Sequence, residues 1–362
     1  MNILYVSTLK RHIGPTQFAS RERIIYQLAS GMVERGHNVT ILGTGDSVVE
    51  GAMIIPVIEK GWINLPPVEN PFIRDIGTLM MQARKLEEIH EQFDVIHNHT
   101  TPDFFPSLMD NHLKKPLVTT LHAVAEPYVD DIMSHFPNTH FIALSEAYKK
   151  TLVKSKAYDV VYNGINTDLY AYHANKDDYL LWVGRLSPAK NDKGEFIDPK
   201  GAKWAIKLAE LTDSRLIMTG TVHSKEFYEK EIKPHLNDKI QWYGEITAEQ
   251  TVPVEKIVEF MQHAKAFLMT INQEEPFGLV MAESMSCGTP VIAWKRGSVP
   301  EVVEFGKTGF YVDPSDGIDA LAATVSRLSE IKPIECRHRV EKMFSVRRMV
   351  ENYERVYKKL TS

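Results

Sequence analysis

The residues best placed to do chemistry stand together near the C-terminal end of the 362-residue chain: Glu275-Pro276-Phe277-Gly278-Leu279-Val280-Met281-Ala282-Glu283. A short apolar run, Ala266 to Ile271, precedes them with the length of a strand. Leu279 to Ser286 has helical composition before Cys287-Gly288-Thr289-Pro290 stops it. The segment therefore reads as a loop that ends on a helix N-terminus. There the amides of Gly278, Leu279 and Val280 and the positive end of the helix dipole suit an anion such as a diphosphate. Gly278 lets the backbone come close. Glu283 lies one turn inside, on the face of Leu279, where its carboxylate can accept two hydrogen bonds from a vicinal diol such as that of a ribose. Glu275 lies before the turn, beside the other end of such a diphosphate.

Glu-Pro-Phe-Gly-Leu-Val-Met-Ala-Glu resembles the E-x7-E motif of the retaining glycosyltransferases of family 4. The likeness extends over most of the chain. Asp94 to His99, Thr120-Leu121-His122, Val161 to Asp168, Val183 to Lys190 and Gly288 to Ala293 occur in the order that family shows. Each piece is only moderately specific, but five in order with plausible spacing are hard to obtain by accident. The resemblance implies a GT-B fold. It also implies a nucleoside diphosphate sugar as donor, a hydroxyl acceptor, and catalysis without a metal or other cofactor. UDP-glucose is the first donor it suggests; ADP- and GDP-sugars fit the same Glu283 contact.

A transferase of this kind must stabilise the diphosphate as it leaves the anomeric carbon. Metal-dependent enzymes commonly use Asp-x-Asp, and no two aspartates stand two apart in this chain. Protein cations then have that task. Arg185, at the end of the expected strand Tyr179 to Val183, and Lys190, five residues on, resemble the family's diphosphate clamp, a planar fork and a point charge acting on developing negative charge. The chain departs from the family here, with Asn191 to Asp198 inserted before Pro199-Lys200-Gly201. Lys200 is a rival; the spacing from Arg185 favours Lys190, with the insertion read as a surface loop. His122, at the end of the strand Leu117 to Leu121, resembles the family's histidine near the donor hexose. The resemblance thus assigns His122, Arg185, Lys190 and Glu275 to catalysis, and Gly14, Gly278, Leu279, Val280 and Glu283 to donor binding. Gly14 stands alone in Arg11-His12-Ile13-Gly14-Pro15-Thr16-Gln17, where the family carries two or three glycines; the segment equally reads as a helix-entry turn. A metal pair at His97 and His99 lacks supporting ligand spacing.

These residues need a scaffold, and the pattern supplies an α/β one. Strands are expected at Ile3–Ser7, Asn38–Leu42, Val95–His97, Leu117–Leu121 and Phe141–Leu144, then at Tyr179–Val183, Arg215–Thr219, Ile240–Tyr243, Ala266–Ile271, Val291–Ala293 and Gly309–Val312. Helices fit Arg21–Arg35, Ile73–Gln92, Ser145–Ala157, Lys200–Leu211, Ser224–His235, Pro253–His263, Leu279–Ser286 and Asp316–Leu328. Such alternation means parallel sheets, and the length suits two domains. The expected arrangement is two Rossmann-like domains facing across a cleft: 1–165 for the acceptor, with a returning helix over 345–362, and 166–344 for the donor.

Composition excludes other classes. A hydrophobic content of 43% with 25% charged residues is ordinary for a soluble enzyme, and a net charge of −5 argues against a nucleic-acid binder. Two cysteines make no disulfide framework, which points to the cytoplasm. No apolar run reaches the ~18 residues of a membrane span, and Lys149, Lys150, Lys154 and Lys156 read as a solvated helix face rather than a membrane patch. NAD binding lacks its fingerprint, since Gly43-Thr44-Gly45 has Val48 where a third glycine belongs. A sugar-nucleotide epimerase and a non-catalytic nucleotide-sugar-binding protein remain as alternatives. Conversion of the donor without acceptor would mark the first, and tight binding without turnover the second.

Overall fold

The computed structural model describes residues 1–17, 19–123 and 126–362. The chain divides into two compact units, one of Met1–Gly164 with Val346–Ser362, the other of Ile165–Ser345. The boundaries expected from sequence were 165/166 and 344/345.

In the first unit seven strands form a wholly parallel sheet: β1 (Asn2–Val6), β2 (Asn38–Thr44), β3 (Met53–Ile58), β4 (Val95–Asn98), β5 (Leu117–Thr120), β6 (Thr139–Ala143) and β7 (Asp159–Val160), in the order β3-β2-β1-β4-β5-β6-β7. Its central strands are continuous buried runs, as covering helices on both faces require. Those helices are α1 (Ser20–Glu34), α2 (Pro71–Ile89), α3 (Pro127–Met133) and α4 (Glu146–Thr151). The chain walks outward from β1 to β3, then returns to β4 beside β1, so the order reverses between β1 and β4.

The second unit repeats the plan with six parallel strands: β8 (Tyr179–Leu186), β9 (Arg215–Val222), β10 (Ile240–Tyr243), β11 (Ala266–Met269), β12 (Val291–Trp294) and β13 (Gly309–Val312), ordered β10-β9-β8-β11-β12-β13. Its helices are α5 (Ala202–Leu211), α6 (Lys225–Phe227), α7 (Val254–His263), α8 (Leu279–Ser286), α9 (Val299–Val302), α10 (Gly317–Ala323) and α11 (Pro333–Met343). Here the reversal falls between β8 and β11. The last helix, α12 (Val346–Thr361), belongs to the first unit, where Gly31 of α1 gives it room. A Cβ at Gly31 would stand 2.5 Å from Val350 Cγ2.

Several expected elements differ, each for a local reason. The helix expected over Ser145–Ala157 stops at Thr151, because the buried Asp130 carboxylate accepts the amides of Val153, Lys154 and Ser155. The four lysines therefore do not share one helix face, and Lys154 pairs with Asp131. Ser224–His235 breaks into α6, a π turn over Tyr228–Ile232 and a 3₁₀ turn over Lys233–His235, as Pro234 has no amide to continue the ladder. Asp316–Leu328 becomes α10 followed by a 3₁₀ turn, where the Thr324 hydroxyl bonds back to the Leu321 carbonyl. β3, β7, α3, α9 and α11 were not anticipated.

Candidate active site

In open α/β sheets ligands enter at the carboxyl ends of the strands where the order reverses. In the second unit that point lies between β8 and β11, and the chain after each carries candidate residues. Beyond β11, the loop Glu275–Gly278 leads into α8. Gly278, with φ +78°, is the N-cap of that helix, and a Cβ there would meet Met281 Cε at 2.4 Å and Glu275 Cγ at 3.3 Å. The first-turn amides of an α-helix, here those of Leu279 and Val280, have no carbonyl within the helix to bond.

A second turn clamps this loop. Ser298 donates its amide to the Glu275 carbonyl at 3.0 Å and its hydroxyl to the Phe277 carbonyl at 2.8 Å. Gly297, φ +50°, is required there, because a Cβ would lie 2.4 Å from the Glu275 carbonyl oxygen. Gly297 also donates its amide to the Glu274 carboxylate. The loop is thus rigid before any ligand arrives, as a preorganised anion site must be. Glu283, on α8, is only 4% exposed, so little of its carboxylate is open to a ligand.

The cations sort themselves by their partners. β8 runs three residues further than expected, so Arg185 is paired within the strand, opposite Thr221 of β9. Its side chain is exposed, and among the described residues none pairs with its guanidinium. Lys200 Nζ lies 2.9 Å from Glu275 Oε2, with both side chains largely covered at 27% and 15% exposure. Its backbone is pinned to the end of β11. The Lys200 carbonyl accepts Trp182 Nε1 at 3.1 Å, and the next carbonyl, of Gly201, accepts the Thr270 hydroxyl at 2.7 Å. Gly201, φ +69°, fits only without a side chain, since a Cβ would sit 1.6 Å from the Thr270 carbonyl oxygen.

Lys190 is elsewhere. Its Nζ pairs at 2.8 Å with Glu226, whose side chain is 47% exposed, and lies over the Phe196 ring at 4.5 Å. The insertion that separates the two lysines is a surface loop, as expected, but one with two buried anchors. Lys190 and Phe196 form an antiparallel bridge, Phe196 is buried and stacked on Phe227, and Asp198 is 1% exposed. The Asp198 carboxylate accepts the amides of Ala202 and Lys203, capping α5, while burial holds its pKa above the ordinary aspartate value. The geometry therefore brings Lys200, not Lys190, to the Glu275 loop.

In the first unit the reversal lies between β1 and β4, and His122 stands just beyond β5, next to β4. Its Nε2 is 2.8 Å from His99 Nδ1. Asp103 accepts the amides of His122 at 2.9 Å and Ala123 at 3.2 Å, and Arg21 of α1 pairs with Asp103 at 2.7 Å. Arg21 also donates to the carbonyls of His99 and Thr100. Sequence reasoning missed Arg21 and Asp103; both are single charged residues with no periodic signal, brought together only by the fold.

Burial and the Arg21 charge hold His122 well below the ordinary histidine range and bring His99 to about 3, so both rings are neutral near pH 7. Among the described residues His99 Nε2 is buried without a hydrogen-bond partner, which a bare ring nitrogen tolerates better than an N–H. That assigns the tautomers: with Nε2 bare, His99 Nδ1 is the donor to His122 Nε2, and the His122 proton is assigned to Nδ1. His97 is different in kind. Its Nδ1 meets Tyr357 Oη at 2.5 Å and its Nε2 meets Thr120 Oγ1 at 2.7 Å, while Tyr353 Oη reaches the same threonine at 2.7 Å. It is a buried core residue that fastens α12. Among the described residues no group of three or more histidine, cysteine, aspartate or glutamate side chains is arranged to hold a metal.

Gly14 is buried in the first βα loop and accepts the Gln17 amide at 3.2 Å. That loop is bolted to the one after β2 through Ile13, whose amide donates to the Ser47 hydroxyl at 2.9 Å and whose carbonyl accepts the Val48 amide at 2.7 Å.

Known proteins place the chain. Residues 171–343 match the family described as Glycosyl transferases group 1, and residues 22–169 match Glycosyltransferase Family 4. A D-inositol 3-phosphate glycosyltransferase of Pseudarthrobacter chlorophenolicus is 25% identical over 351 residues, covering 83% of this chain and 80% of that protein. The sucrose-phosphate synthase of Thermosynechococcus elongatus superposes with a TM-score of 0.75 at 17% identity, covering 99% of this chain and 98% of its own. Anabaena Alr3699/HepE, solved in complex with UDP and glucose, gives 0.71 at 19% identity, covering 99% of this chain and 100% of its own. Both units are matched and GT-B glycosyltransferases share the fold across the whole chain, which therefore belongs to the glycosyltransferases of family 4.

Proposed function

We propose that the chain is a retaining, metal-independent glycosyltransferase that moves a hexose from a nucleoside diphosphate sugar to a hydroxyl acceptor, with UDP-glucose as the first donor to test. The observation that carries this reading is the set of groups at the carboxyl ends of β8 and β11: Arg185, unpaired among the described residues, Lys200 beside Glu275, and the N-terminus of α8 behind a clamped loop. The solved complex of Anabaena Alr3699/HepE with UDP and glucose, on the same fold, supports the choice of donor.

In this proposal the diphosphate lies against the amides of Gly278 to Val280, between Arg185 and Lys200. As the bond from the anomeric carbon to the leaving oxygen lengthens, negative charge grows on the diphosphate. The two cations and the fixed amides meet it without reorganising. Glu275 binds the donor hexose while also orienting Lys200, and Glu283, largely covered in α8, takes the ribose diol with the little of its carboxylate that is open. His122, neutral and protonated on Nδ1, offers a hydrogen-bond donor rather than a charge. Attack comes from the face the diphosphate leaves, and a diphosphate oxygen takes the acceptor proton.

A thermal-shift panel of UDP-, GDP-, ADP- and dTDP-sugars in EDTA tests the reading. A ligand at 100 times its dissociation constant stabilises by about 2.7 kcal/mol, a readily visible shift. One selective donor, slowly hydrolysed in EDTA and transferred with its anomeric configuration kept, is the expected result. No shift with any of the four would remove the nucleotide-sugar reading, and an inverted product would remove retention.

A further inference from the structure

α2 has its depth fixed by one residue. Gln82 Nε2 donates to the carbonyls of Ser7, at 2.9 Å, and Leu42, at 3.1 Å, near the carboxyl ends of β1 and β2. From Gln82 onward the helix lies along the sheet, and its solvent side carries ion pairs such as Arg84–Glu87 and Lys85–Glu88. Before Gln82 three turns of helix, about 16 Å at 1.5 Å per residue, run beyond that level.

On those turns the solvent side is apolar: Phe72 is 68% exposed, Ile73 63%, Met80 63% and Met81 54%. One helix thus changes the character of its outer face at the level where the sheet ends. The preceding segment extends the apolar surface with Ile63 and Val68, 54% and 43% exposed. That segment is tied to the loop after β1, as Trp62 and Ile63 donate their amides to the carbonyls of Leu9 and Lys10. It is tied to α2 as well, by Trp62 Nε1 on the Thr78 hydroxyl at 3.0 Å. Exposed apolar side chains gathered in this way mark a surface that binds something.

We propose that this wall receives an alkyl chain of the acceptor, whose hydroxyl-bearing head enters at the carboxyl ends of β1 and β4. The inference rests on the transferase reading and names its acceptor class. Two observations favour a chain on the acceptor over a bilayer. The wall starts from the loop at the strand reversal, where a small ligand enters. Along the wall itself, from Gly61 to Met81, the only charged residues are Glu69, Arg74 and Asp75, the last two paired at 2.8 Å. The exposed Lys10 and Lys60 stand at its root beside the loop after β1, so the positive charge lies by the head and not along the apolar face that a bilayer would meet.

The test uses the whole protein with two probes that share a head and differ in the tail: n-octyl β-D-glucopyranoside below its micellar concentration, and methyl β-D-glucopyranoside. Calorimetry reads binding, and transfer from the donor selected by the panel above reads turnover. The octyl probe should be preferred at least tenfold. The double variant Phe72→Ser, Ile73→Ser, checked by thermal melting, should bring the ratio close to one, whereas Arg84→Ala should keep it.

Equal binding of the two probes, or a preference untouched by the double variant, overturns the proposal. So does Phe72-dependent pelleting with vesicles of phosphatidylcholine or phosphatidylglycerol, which would make the wall a bilayer contact, or a Phe72-dependent dimer in light scattering, which would make it a contact with a second copy. Calorimetry needs no donor, so the two ideas fail separately. Absent donor binding counts against the transferase, and a missing tail preference with donor binding intact counts against the wall alone.

Discussion

At the scale of single residues, the two lysines differ in what surrounds them rather than in their spacing from Arg185. Lys190 is one half of an exposed pair, an arrangement worth at most about 1 kcal/mol. Lys200 is half-buried, fixed at the backbone and held against Glu275. Lys200→Ala should lower kcat by roughly 10²- to 10³-fold, the usual loss for one preorganised donor, and Lys190→Ala by no more than about threefold. Steady-state rates with the selected donor decide, and the opposite ranking would return the diphosphate to Lys190. His122 gives a second residue-scale expectation. Its pKa is depressed by burial and by Arg21, so protonation is resisted and the ring is neutral above its lowered pKa. Its imidazole nitrogen signals should therefore not titrate between pH 5 and 8, and should show the proton on Nδ1; a midpoint near 6.5 would contradict the buried pair with His99.

At the scale of elements, what holds the site is close backbone approach. α5 can start where it does only because Gly201 has no side chain against the Thr270 carbonyl. Gly201→Ala should destabilise by more than about 2 kcal/mol in urea unfolding and lower turnover through Lys200; an unchanged midpoint would mean that the junction relaxes freely. Much of this was legible in the sequence. The apolar runs of β1, β4, β8, β11 and β12 announce parallel strands, and Gly278 with Cys287-Gly288 brackets α8. Less legible was anything set by tertiary competition. Met53–Ile58 carries Pro56, which argues against a strand and is tolerated only because β3 lies at the sheet edge, and Asp130 ends α4 from a distant position in sequence. Asn191 to Asp198 looked like a solvated insertion because its charges outnumber Phe196 and Ile197, yet Phe196 and the Asp198 cap are buried. Spacing from Arg185 favours Lys190, and no signal in that segment announces that Lys200, beyond it, meets Glu275.

The same logic governs how α12 is fastened. Glu354 accepts from Lys358, Arg35 and His37; although its burial raises the pKa, those bonds outweigh it and bring the carboxyl to about 2. A folded pKa below the unfolded value gives stability that is fully present above about pH 4.5 and is lost as pH falls toward 2. With Lys358 and Arg35 partly exposed, about 1–2 kcal/mol is reasonable. Glu354→Gln should cost that much at pH 7, with the gap to wild type narrowing below pH 4.5; a gap that is independent of pH would show the bonds to be replaceable.

At the scale of the whole molecule, the chain crosses from the first unit to the second after Gly164 and comes back at Val346. The return helix is part of the first unit's core. Met349, Val350, Tyr353, Val356 and Tyr357 are each at most 3% exposed, and the two tyrosine hydroxyls complete the bonds of Thr120 and His97 inside the sheet. Burial of one large apolar side chain contributes about 1.5–3 kcal/mol, so five of them match the entire 5–15 kcal/mol stability of an ordinary domain. Losing them would also strand buried polar groups on β4 and β5. A fragment ending at Gly164 should therefore lack cooperative unfolding and dispersed amide resonances, and adding residues 346–362 as a separate peptide should restore both. Residues 165–345 carry their own sheet and core, and should fold cooperatively alone. If the 1–164 fragment folded without the peptide, α12 would be a surface attachment, and the His97–Tyr357 network would be a consequence of the fold rather than part of what holds it.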